Sequence, residues 1–119
     1  MKTENIVQEK SFNFAIRIVK LYQYLCNEKK EFVLSKQLLR SGTSIGANIE
    51  ESIGGQSDKD FLSKISISYK EARETIYWIK LLSATGYLDD KQTESLFVDA
   101  EEICKILCKI QLSLKNLNS

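Results

Sequence analysis

Near the end of the chain, apolar residues recur as Leu96, Ala100, Ile103, Leu107, Ile110, Leu114 and Leu117, stepping by 4, 3, 4, 3, 4 and 3. Only an α-helix lines such positions along one side, and a seam of this period is stable only when buried against other helices. The rest of the chain agrees. Its 119 residues include no proline and only five glycines, a composition suited to long helices and poorly suited to strands punctuated by turns. The apolar periodicity is interrupted at 27–31, 54–57 and 86–90, which cuts the chain into four helices. Ser57 with Asp60, and Asp89 with Gln92, have the spacing of helix-capping boxes, and Gly86 suits a left-handed helix stop. Connections this short force successive helices to run antiparallel. The predicted fold class is all-α: an antiparallel up-down-up-down four-helix bundle, one domain over residues 1–119.

Several function classes are excluded at this point. Lys and Arg number 17 against 16 acids, so the whole-molecule field draws the chain toward neither nucleic acid nor a membrane. No apolar run approaches the roughly 20 residues of a membrane-spanning helix. The first ten residues lack the apolar segment of a secretory signal. Cys26, Cys104 and Cys108 are odd in number, and no histidine accompanies them. A zinc site lacks its fourth ligand, and a disulfide between Cys104 and Cys108, one helical turn apart, is geometrically poor. They read as small core or boundary residues of a reduced, cytoplasmic protein with no metal and no cofactor. A di-iron bundle needs Glu-x-x-His motifs. No nucleophile stands beside a proton-transfer base, so no catalytic residue is assigned and the chain reads as a non-enzyme.

What remains is surface. The first helix carries two apolar stripes about 100° apart: Phe12, Ala15, Val19, Tyr22 and Cys26, then Phe14, Ile18, Leu21 and Leu25. In the third, Phe61, Ile65, Tyr69, Ala72, Ile76 and Ile79 form an inward stripe, with Ile67, Trp78 and Leu81 nearly opposite. One core cannot absorb all of these. A surplus apolar stripe on a soluble protein marks self-association or a partner surface.

The second helix contains Gly42 and Gly46, which would each cost about 1 kcal/mol relative to alanine in a helix interior. Leu34, Leu38, Ile45 and Ile49 keep helical phase through them, so the helix is continuous and the glycines form a close-packing face. The sequence leaves open whether a helix of the same subunit or of another one packs there. Along one flank run Arg40, Ser44, Asn48 and Glu51. Glu71 and Glu74 of the third helix are the partners expected for Arg40, in a polar network that fixes helix register or an intersubunit contact.

Charge is segregated along the chain. Residues 10–30 hold Lys10, Arg17, Lys20, Lys29 and Lys30 against Glu28 alone, and after six acids between Asp89 and Glu102 come Lys105, Lys109 and Lys115 with no acid. If the first and last helices are neighbours, Lys10 and Arg17 come level with Lys105 and Lys109. With Lys20 they would form a basic patch for the phosphates of RNA or DNA. The alternative is that these cations only solvate two helices.

Three segments carry a family resemblance: Phe14-Ala15 with Ile18-Val19, LSKQLLRSGTSIGANIEE over 34–51, and KEARETIYWIKLL over 70–82 followed by Gly86-Tyr87-Leu88. Nearly the whole chain resembles the small four-helix bundle proteins encoded by intervening sequences in bacterial 23S ribosomal RNA genes. It is also similar in fold to the accessory protein of diversity-generating retroelements. The resemblance implies a homopentamer without enzymatic activity. For the retroelement branch it implies binding of nucleic acid and a reverse transcriptase through a basic surface, a branch from which this chain departs in its near-neutral charge. Two functions are carried forward: a homo-oligomeric accessory protein associated with RNA or DNA, and a protein–protein scaffold docking a partner helix on Ile67, Trp78 and Leu81.

Overall fold

A computed structural model describes residues 2–117, with side chains described for 5–116. Four helices account for nearly all of it: α1 (Lys2–Asn27), α2 (Leu34–Ile53), α3 (Asp58–Ala84) and α4 (Asp90–Leu117). They form a rod of 47 × 22 × 20 Å, its long axis matching the roughly 40 Å expected of a 27-residue helix. Each helix packs against its chain neighbours, and α1 against α4 closes the ring as the loosest of the four seams.

The helix ends follow from local chemistry. Ser57 accepts the Asp60 N–H at 3.1 Å. Asp89 and Gln92 cap reciprocally: the Gln92 N–H donates to Asp89 Oδ1 at 2.7 Å and the Asp89 N–H to Gln92 Oε1 at 3.0 Å. Gly86 takes φ 87°, the left-handed stop that a side chain would strain.

The α1–α2 turn holds a device absent from the sequence reading. Lys30 is left-handed, with φ 55°, and lets the Glu31 N–H reach back to the Leu25 carbonyl, closing α1. The buried Glu31 carboxylate then opens α2, accepting the N–H groups of Ser35 (2.7 Å), Leu34 (3.1 Å) and Val33 (3.3 Å). Burial pushes this carboxyl up, but the donated hydrogen bonds outweigh it and hold it below the usual glutamate range.

The α4 seam is buried from Leu96 through Ala100, Ile103 and Leu107 to Ile110, and Leu114 packs half-buried at its end. Leu117 belongs to the expected seam, but its side chain, like residues 1, 118 and 119, lies outside the described residues. On α1 the bundle selects one of the two stripes: Phe14, Ile18 and Leu25 are buried with Val7, while Phe12 and Val19 are exposed.

On α3 the inward arc is wider than the expected stripe. Ser68, Thr75 and Leu82 are fully buried beside Ile65, Ala72 and Ile79, while Phe61, Tyr69 and Ile76 are half-buried, the latter two beside Cys104 of α4. The cause is polar and small. Ser68 donates to the Ile45 carbonyl of α2 at 2.8 Å, and the Thr75 and Ser41 hydroxyls meet at 3.0 Å across the seam, so these side chains enter the core already paired.

α2 runs unbroken through Gly42 and Gly46, and both glycines pack within the subunit. A β-carbon at Gly42 would lie 2.8 Å from two Ile18 side-chain carbons of α1, and one at Gly46 would lie 3.4 Å from Ser11 Oγ. The close approach of α1 to α2 offsets the helix-propensity cost of glycine.

Candidate functional site

The apolar stripe that α1 leaves outside the core is the most conspicuous surface of the rod. Phe12 is 66% exposed, Ile16 40% and Val19 39%, and with Ala15 they line a shallow depression bordered by Lys20 and Gln23. Phe12 and Ala15 also border an adjoining groove shared with Thr43, Gly46 and Ala47 of α2. The groove exists because the glycines bring α2 close to α1 and because Ala47 presents almost no side chain. A large aromatic ring therefore stands beside a shallow hollow on one face. One end of that groove is closed by Gln8, which donates to Glu50 at 2.6 Å.

The second surface is the polar flank of α2 against α3. Arg40 bridges to Glu71 at 3.3 Å and also pairs with Glu74, whose carboxylate accepts the Trp78 indole N–H at 2.9 Å. Ser44 donates to the Arg40 carbonyl at 2.6 Å, Asn48 to the Ser44 carbonyl at 2.8 Å, and Lys64 pairs with Glu51 at 3.3 Å. The six residues expected in the network thus lie on this flank, each with a partner in the same chain, and Trp78 joins them through Glu74. The expectation that Trp78 and Leu81 project away from the bundle needs correction. Both are half-buried, and Trp78 packs on the core edge with its indole held by Glu74. The exposed neighbours are Ile67 and Tyr77, the latter edge-on to the Trp78 ring.

The basic patch of the sequence reading does not assemble. Lys10 is level with Glu102, at 2.6 Å, rather than with Lys105 or Lys109, and Arg17 is level with Asp99, at 2.5 Å. Arg17 donates further to Ser95 Oγ at 3.0 Å. Burial of Phe14 on α1 and Ile103 on α4 sets this register, which lies about two turns from the expected one. Lys105 is carried to the other side of α4, in a groove with Tyr69 and Arg73 of α3. Lys20 and Lys109 are exposed. Between the two ion pairs runs a cleft of about 290 Å³ lined by Lys10, Asn13, Arg17, Asp99 and Glu102 above Phe14 and Ile103. Glu102 raises the Lys10 pKa through its hydrogen bond and its charge.

Chemistry elsewhere is sparse. Cys104 is buried, and burial pushes its thiol up; Cys26 and Cys108 are half-buried and free. A protonated, buried thiol is a poor nucleophile. Among the described residues no group of three or more Cys, Asp or Glu is placed to hold a metal ion, and no helix is long and apolar enough to cross a membrane. The sequence missed Glu31, for which the one available signal was an acid just ahead of an apolar helix start, and it did not foresee the Lys10–Glu102 and Arg17–Asp99 pairs.

Comparison with known proteins places this geometry among relatives. No curated protein matches the chain. A solved structure from Bacteroides thetaiotaomicron, described as a protein of unknown function from the S23 ribosomal protein family, is similar with 54% identity and a TM-score of 0.91. The match covers 92% of this chain and 97% of that one. The model of the family described as 23S rRNA-intervening sequence protein matches residues 3–109. Four antiparallel helices, the 34–51 segment folded as one glycine-bearing helix, and a match over nearly the whole chain agree: the protein belongs to the 23S rRNA-intervening sequence protein family.

Proposed function

We propose that this protein is a non-enzymatic, self-associating bundle whose assembly, rather than the single subunit, engages RNA or DNA as an accessory protein. The observation that carries the reading is the outward stripe of Phe12, Ile16 and Val19 beside the Thr43–Ala47 hollow. Apolar surface of this kind is stabilised by roughly 25 cal/mol for each Å² removed from water, and a second copy supplies a cover in every cell that makes the protein. Five copies is the number the family resemblance implies. Assembly also bears on electrostatics. A subunit of formal charge +1 with its cations scattered is a weak ligand for phosphate, whereas a ring repeats each exposed lysine, Lys20, Lys105 and Lys109 among them, around one surface. The compartment that fits this reading is the cytoplasm.

The test is solution mass by light scattering, followed by titration of the same sample with single- and double-stranded nucleic acid at rising salt. The reading expects an oligomer whose affinity falls steeply with salt; salt-independent or undetectable binding contradicts the nucleic-acid role.

A second reading, a protein–protein scaffold, draws on exposed Tyr77 and Ile67 beside the Arg40 network. Because Trp78 is tied to Glu74, Tyr77→Ala is the cleaner probe. Loss of a helical protein partner in that variant, with the oligomer intact, favours the scaffold.

A further inference from the structure

The α1–α4 seam combines the loosest packing of the four with charge along its rim. Lys10 and Arg17 lie seven residues apart on α1, about 10 Å along the helix. Each meets a carboxylate of α4, Glu102 at 2.6 Å and Asp99 at 2.5 Å. The four side chains keep between 39% and 47% of their surface in contact with solvent, so another anion can reach either cation without unfolding anything. Beneath them Phe14 and Ile103 are buried and hold the two helices together independently of the charges. Asn13 lines the cleft between the cations, adding an amide that can donate to an oxyanion.

We propose that this cleft is a phosphate-backbone site in which Asp99 and Glu102 act as built-in competitors, occupying Lys10 and Arg17 until a nucleic-acid strand displaces them. The inference rests on the nucleic-acid reading above and adds where the strand is gripped and what restrains it. A carboxylate and a phosphate present the same chemistry to an ammonium or a guanidinium, namely anionic oxygens that accept charge-assisted hydrogen bonds. Two phosphates of one strand fall within the separation of Lys10 and Arg17. Exposed ion pairs of this kind are individually weak, so exchange costs little, but an isolated phosphate gains too little to win. A polyanion contacting both cations, and those of neighbouring subunits, gains enough. The restraint would keep isolated anions out of the cleft while permitting multivalent engagement of a strand.

The experiment compares wild type with two charge-matched double variants. The first, Asp99→Asn with Glu102→Gln, frees the cleft cations. The second, Asp90→Asn with Glu94→Gln, removes the same charge from exposed acids of α4 outside the cleft. Affinity for a fluorescently labelled oligouridylate is measured by anisotropy over a salt series, with helicity and solution mass checked for each protein.

The cleft variant should bind about tenfold tighter than wild type at low salt, with a log–log salt slope steeper by about 1.4, the release expected for two added contacts to a single strand. The control should gain less than about threefold with its slope unchanged. Adding Lys10→Gln and Arg17→Gln to the cleft variant should abolish the gain. Equal gains in cleft and control variants, with wild type binding, would overturn the cleft site and leave the nucleic-acid role standing. No binding by any of the proteins would overturn both.

Discussion

α1 packs against α2 on one flank and against α4 on the other, and the two contacts are built on opposite principles. Toward α2 the backbones approach until Gly42 has no room for a side chain against Ile18. Toward α4 the helices stand apart around a cleft, joined at the rim by Lys10–Glu102 and Arg17–Asp99. At Gly42 the first contact is close and intolerant of added volume. The second is charged, solvent-exposed at its rim and open to exchange. A single helix thus joins a close-packed line, beside which the outward Phe12 stripe stands, to a charged and partly exposed seam. Stability should reside in the α2 flank and responsiveness in the α4 flank.

The sharpest way to break this contrast is at Gly42. Gly42→Val should lower stability by about 2–3 kcal/mol in urea denaturation, because overpacking outweighs the gain in helix propensity. Combining it with Ile18→Val should recover part of the loss, a coupling of about 1 kcal/mol between touching residues. An unaltered midpoint would show that α1 and α2 are not in close contact there.

Next in size is Glu31, which belongs to neither flank but locks the α1–α2 turn that holds them in register. Glu31→Ala removes a carboxylate accepting three backbone N–H groups and should cost about 1–2 kcal/mol at neutral pH. Since the folded state holds this carboxyl below its unfolded value, its contribution is full above the unfolded pKa and is lost as pH falls through the folded one. The gap between wild type and Glu31→Ala should therefore close on acidification. A gap that widened toward low pH would contradict the cap.

On the α4 flank the effects are smaller by construction. Asp99→Asn with Glu102→Gln should cost less than about 1 kcal/mol in dilute buffer, and the difference from wild type should shrink further as salt screens the pairs. A loss comparable to that of Gly42→Val would mean that the ion pairs hold the bundle shut, and the two flanks would not differ as described. Smallest is Gly46→Ala. A β-carbon there lies 3.4 Å from Ser11 Oγ, an ordinary contact, so tightness and helix propensity should nearly cancel, within about 0.5 kcal/mol of wild type.

What the sequence revealed follows the same division. The fold was legible because it depends on periodic and local signals: the α4 seam, the two capping boxes and Gly86 each act through their own turn of helix. The helical continuity of 34–51 was legible from the phase of Leu38, Ile45 and Ile49. The Arg40 pairing with Glu71 and Glu74 could be anticipated because adjacent antiparallel helices with a short loop have a narrow choice of register. The register of α1 against α4 could not. These helices are joined by no loop, and their alignment depends on how Phe14 and Ile103 nest, which displaced the expected basic patch by about two turns. Which α1 stripe faces inward was equally hidden. Phe12 and Phe14 are alike as sequence symbols, and only the close approach to Gly42 and Gly46 decides that Ile18 and its stripe go inside.

The outward stripe is the proposed subunit contact, and solution mass by light scattering tests that most directly, on wild type, Phe12→Asp and Val98→Asp. Val98 is 59% exposed, much as Phe12 is, but sits on α4 among charged neighbours. The expected result is an oligomer for wild type and Val98→Asp, and a helical monomer or smaller species for Phe12→Asp. A wild-type monomer, or an oligomer indifferent to Phe12→Asp, would contradict it.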